Sequence, residues 1–191
     1  MARQALEIEI STEMLEEGIT RAREQEQIYG HNTGHFTLES EKENTIIGTV
    51  GEIVAREVIN ECRSARNIGL SIQLSDLGAH TDLVIHNHEL FNGLHIKTGL
   101  WRRWPRDDFS FGVHADQGIQ HASEPLVLVS LLKESEEFPV KAQVEGFVTP
   151  DYLRRCQVIH RGDRFPGSGV VSRTSNIVTF FRDYNPIADL F

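Results

Sequence analysis

The chain has few cysteines, no long apolar run and no excess of positive charge. Cys62 and Cys156 are its only cysteines, too few for a disulfide framework or a cysteine-built zinc site. A reducing, cytoplasmic setting is therefore expected, with each thiol acting as a small buried hydrophobe. No stretch approaches the ~18 apolar residues of a membrane helix. The N-terminal MARQALEIEISTE turns acidic at once, which predicts no secretory signal. No internal repeat, low-complexity tract or linker interrupts the 191 residues, a length that predicts one domain. Lys and Arg number 19 against 28 Asp and Glu, a net charge of −9. Non-specific coating of nucleic acid depends on neutralising phosphates, so this charge argues against a histone-like role. It leaves room for an enzyme with a local basic groove. The charge is uneven: Glu7 to Glu61 is rich in Glu, while Lys97 to Arg106 and Arg154 to Arg173 hold much of the positive charge.

What is present is an ordinary globular balance, with 39% hydrophobic residues, enough for a real core. Ser11 and Thr12 can cap a helix over 12–28, on which Met14, Leu15, Ile19 and Ala22 recur at helical spacing. Gly30 to Asn44 is polar and reads as a loop. A second helix starts at Asn44 or Thr45, with Ile46, Ile47, Val50, Ile53, Val54 and Val58 as its apolar stripe. Small residues at 48, 51 and 55 predict close approach to another backbone. From the helical pattern alone, Glu52 reads as a solvated glutamate. The period then changes to two. Strands are predicted around 70–74, 82–86, 94–98, 109–113, 126–132, 140–148 and 176–182. Asn92-Gly93 signals a hairpin between the second and third of these. Thr149-Pro150-Asp151 opens a short helix, with Pro150 where its missing N–H costs nothing. Ile187 to Phe191 is an apolar end.

Alternate residues of a strand share a face, so His95 and Lys97 point one way and Leu94 and Ile96 the other. If 82–86 pairs with 94–98, then Asp82, His95 and Lys97 can meet at one end of the hairpin. A hard divalent ion takes carboxylate and carbonyl oxygens, and the carbonyl of Ile96 is a further donor. A metal there would activate water and screen a phosphate, with Lys97 stabilising developing charge or helping to deprotonate the water.

A helix carrying Gly51-Glu52, then Asp82, then His95-Ile96-Lys97 resembles the PD-(D/E)xK nuclease superfamily over about residues 45 to 190. The strand 140–148 and the helix after it fit the part that closes that core. The resemblance implies an α/β fold with a central mixed β-sheet flanked by helices, a restriction-endonuclease-like core at 45–191 preceded by an N-terminal helix and loop at 1–44. It implies a Mg²⁺-dependent DNA endonuclease, with catalytic Glu52, Asp82, His95 and Lys97 and metal ligands Glu52, Asp82, His95 and the Ile96 carbonyl. It also implies a homodimer able to cut both strands. Two positions depart from the pattern. Thr81 stands in place of a proline, and His95 stands in place of an acid. Histidine suits transition metals better than Mg²⁺. Four readings are open: Glu52, Asp82 and waters hold the ion; the site prefers Mn²⁺; Glu89 substitutes; or the site is inactive. The different-class alternative is a nucleic-acid-binding or protein-interaction module on the same fold.

Trp101-Arg102-Arg103-Trp104-Pro105-Arg106 follows Lys97. Arginines among aromatics suit phosphate contact and base stacking, so Arg102, Arg103 and Arg106 are nucleic-acid-binding candidates. The plainer reading has both tryptophans in the core. Arg154, Arg155, Arg161 and Arg164 form a second basic candidate patch or a solvated face. His86, His88 and His95 could hold zinc in principle. His114 and His121 carry no motif, and Arg161-Gly162-Asp163 reads as a plain turn.

Overall fold

The computed structural model describes residues 4–29, 38–77, 81–115, 123–134 and 138–191. Strand β1 (Leu6–Glu9) precedes helix α1 (Thr12–Tyr29) and helix α2 (Leu38–Ala65). Strands β2 (Ser71–Leu74), β3 (Leu83–His86), β4 (Gly93–Trp101), β5 (Ser110–His114), β6 (Leu126–Leu132) and β7 (Lys141–Val148) follow. Helix α3 (Pro150–Arg155), β8 (Val158–Ile159) and β9 (Asn176–Phe180) complete the regular structure, with 3-10 turns at Phe181–Asp183 and Ile187–Leu190. Among the described residues no helix is long and apolar enough to cross a membrane.

Six strands form one sheet in the order β1-β7-β6-β4-β3-β2. The β4–β6 pair is parallel and the other neighbours are antiparallel, so the sheet is mixed. Strand alternation divides its side chains. Leu94, Ile96, Val127, Val129 and Leu131 pack with the α2 stripe of Ile47, Val50, Val54 and Val58. Leu126 and Leu128 join a second cluster with Val113 of β5, Leu153 of α3 and Ile177 of β9. Helices therefore cover one face, as expected. The other is covered largely by a separate three-stranded sheet, β5-β9-β8. The strands predicted near 109–113 and 176–182 form this second layer because they pair with each other rather than with the central sheet.

Two close approaches seat the helices. A Cβ on Gly51 would lie 1.9 Å from Thr98 Oγ1, so α2 lies tightly on β4. A Cβ on Gly18 would lie 2.5 Å from Val50 Cγ2, and Thr49 donates its hydroxyl to the Gly18 carbonyl at 2.8 Å. Gly48, by contrast, faces open space.

Some boundaries differ from expectation, and two strands are additional. Helix α2 begins at Leu38, inside the predicted loop, because LESEKE contains good helix formers and no Gly or Pro; residues 30–37 lie outside the described set. The hairpin is present, but its connection runs from Asn87 to Asn92 and Gly93 is already in β4. The left-handed bend comes at Asn87, with φ 66°. Strands β1 and β8 were not anticipated. The former shows the alternation Leu6, Ile8, Ile10 and pairs with β7; the latter is two residues long.

Candidate active site

The centre of the site is the point where β3 leaves β4. Their ladder spans only Leu83–Leu94 and Val84–Gly93, and the Asp82 N–H continues it to the Leu94 carbonyl at 3.0 Å. Beyond that the chains diverge. The Ile96 N–H would need another acceptor, and Asp82 Oδ2 supplies it at 2.6 Å. The acid is thus held by the strand that carries Lys97. Its backbone is also secured: the Ser75 N–H donates to the Asp82 carbonyl at 3.1 Å, and the Ser75 hydroxyl lies against the carbonyls of Thr81 and Asp82.

Glu52 comes from the sheet-facing side of α2 and is not a solvated glutamate. Only 9% of the residue is exposed. Burial, and next the charge of Asp82, push its carboxyl up to about 7, against the opposing pull of Arg21 and Lys97. Glu52 therefore feels the charges of Asp82, Arg21 and Lys97. Arg21 Nε donates to Glu52 Oε2 at 3.1 Å, and its Nη2 donates to the Ser75 carbonyl at 2.8 Å.

No protein-family model, curated protein or solved structure matches this chain. The arrangement must be read on its own geometry.

His95 shares the strand face of Lys97, as alternation requires. It is buried, and its Nε2 lies 4.0 Å from Glu124 Oε2. Glu89, the other suggested substitute for the missing acid, is exposed. His86 is exposed, whereas His88 meets the Leu190 carbonyl at 3.0 Å and stacks on Phe91. Among the described residues no group of three or more His, Cys, Asp or Glu side chains is gathered for a metal, neither His86, His88 and His95 nor Glu52, Asp82 and His95.

Trp101 belongs to the second core, edge-on to Phe181 at 5.5 Å. Arg102, Arg103 and Arg106 are exposed, with Arg106 paired to Asp108 at 3.0 Å and lying over Phe109. Arg154 is paired with Asp151, and Arg164 donates to the Gly169 carbonyl. Arg161 lines a hollow of about 500 Å³ with His114, Arg173 and Thr174. Cys62 and Cys156 are half-buried thiols. His121 lies outside the described residues.

Sequence reasoning missed Arg21 and Glu124. The signal for Arg21 was available: Met14, Gly18 and Arg21 share one row of α1, so an arginine sits on the face that packs. Nothing local marked Glu124, whose partner is 29 positions earlier in the chain.

Proposed function

We propose that the protein is a metal-dependent phosphodiesterase acting on DNA, an endonuclease on a restriction-endonuclease-like core. The observation that carries the reading is the convergence of two acids and a lysine where β3 and β4 part. Glu52 and Asp82 supply hard oxygen donors, and the raised pKa of Glu52 reflects, after burial, the charge of the second acid beside it. That donor set fits Mg²⁺ or Mn²⁺. When bound, such an ion supplies positive charge and acidifies a water. Asp82 has Oδ2 committed to the Ile96 N–H, which fixes the carboxylate so that Oδ1 can serve as a donor. Glu52 likewise gives Oε2 to Arg21, leaving Oε1 as its donor. Lys97 binds a non-bridging phosphate oxygen and stabilises the charge that grows there as the phosphorus–oxygen bond breaks.

The polyanion has one favourable side of approach. Beside Arg21, α1 places Glu13, Glu16, Glu17 and Glu24 around a hollow of about 400 Å³, which repels phosphate. Arg102 and Arg103 lie beyond the end of β4, about 17 Å along the strand from Lys97, and attract it. A homodimer is the arrangement that would let such a site cut both strands.

The position of His95 against Glu124 favours a second reading, a binding module on this fold that does not cleave. Supercoiled-plasmid nicking with Mg²⁺ or Mn²⁺ separates the two. Wild type is expected to nick, and Asp82→Asn to lose at least 100-fold in rate together with Mn²⁺ binding. Wild type inert with every divalent ion, or Asp82→Asn as fast as wild type, defeats the enzyme reading.

A further inference from the structure

We propose that Arg21 is a positioning residue for both acids, making α1 part of the site; the metal-binding consequence rests on the nuclease reading above. The two helices cross at Gly18 and Thr49. Thr49 is anchored to the Gly18 carbonyl, and Gly18 has no side chain to hold the helices apart. Arg21 and Glu52 lie three residues further along each helix, on the same rows. The crossing therefore sets the guanidinium over the carboxylate.

A guanidinium is a planar fork of five donors, and it can serve two acceptors in fixed relative geometry. Here Nε takes Glu52 Oε2 and Nη2 takes the Ser75 carbonyl. Ser75 in turn holds the Asp82 backbone through its own N–H and hydroxyl. One side chain thus ties an acid on α2 to the strand end that presents the second acid. The Arg21 side chain is 14% exposed and that of Glu52 11%, so the pair is shielded from the screening that weakens surface ion pairs. With Lys97 it also offsets the repulsion between the two carboxylates. A lysine at position 21 would keep the charge, but its single nitrogen cannot reproduce the planar two-point fork.

Amide hydrogen exchange on Arg21→Ala and Arg21→Lys tests the clamp without reference to cleavage. In both variants the Ser75 and Ile96 amides are expected to exchange at least tenfold faster than in wild type. The Val178 amide, bonded to the Gln157 carbonyl in the other sheet, should be unchanged and serves as the control for global unfolding. Mn²⁺ affinity, read by electron paramagnetic resonance on the metal alone, should fall about tenfold in both, with no rescue by Lys. Exchange at wild-type rates in the folded Arg21→Lys protein overturns the clamp. If wild type neither binds Mn²⁺ nor nicks DNA, the nuclease reading fails while the exchange data still decide the role of Arg21.

Discussion

Burying Glu52 beside Asp82 costs free energy whenever both are ionised, and the cost has a pH signature. The Glu52 carboxyl has an ordinary value of 4.5 and is held near 7 in the fold. Between those values the folded protein binds a proton that the unfolded chain has released. Stability from this group is therefore full below pH 4.5, declines as pH rises, and levels off above 7. The decline is on the order of 3 kcal/mol. Glu52→Gln should flatten that slope and leave the protein more stable than wild type at pH 8, as urea denaturation at several pH values would reveal. A slope identical to that of wild type would mean that Glu52 titrates normally. The same proton competes with a cation. Mn²⁺ affinity should rise by up to about tenfold per pH unit below pH 7 and flatten above it, a dependence that calorimetric titration across pH measures.

At the scale of elements, the seat of α2 on β4 decides whether Glu52 reaches the site at all. Gly51→Ala places a methyl group within 1.9 Å of Thr98 Oγ1, so either the helix or the strand must shift. A loss of about 1–3 kcal/mol is expected, with Mn²⁺ binding weakened as well. Gly48→Ala, on the same helix but facing open space, should be neutral or gain up to about 1 kcal/mol from better helix propensity. Equal effects from the two substitutions would contradict the close approach. The stripe Ile47, Val50, Val54, Val58 announced α2 because its apolar period is local, and the apolar run of β6 and the alternation of β7 announced those strands for the same reason. The small residue at 51 was readable as a contact, though not what it contacts. The connection from Asn87 to Asn92 hid behind a turn signal at Asn92-Gly93. The row of α1 marked Arg21 as facing the packed side but not its partners, because Glu52, Ser75 and the His95 that meets Glu124 are all distant in sequence and only the helix crossing and strand order bring them together. The pairing of β5 with β9, which turns a flanking layer into a second sheet, was hidden by the same kind of long-range contact.

For the molecule as a whole, the net charge of −9 confines attraction for a polyanion to local patches. Binding to duplex DNA is therefore expected to be weak and steeply salt-dependent. Arg102→Ala and Arg103→Ala should each lower affinity and reduce the slope of log affinity against log salt by about 0.9, the loss of one phosphate contact. Arg106→Ala should do less, because Asp108 already engages that guanidinium. Fluorescence anisotropy across a salt series measures all three, and unchanged slopes would move the nucleic-acid path elsewhere. In the proposed reaction Lys97 acts on phosphate, in a site whose acids hold the ion. Single-turnover plasmid nicking by Lys97→Met, with Mn²⁺ binding followed in parallel, tests it most directly. The expected result is an intact metal affinity with a rate lowered at least 100-fold. Nicking at the wild-type rate by a Lys97→Met protein that still binds Mn²⁺ would contradict it.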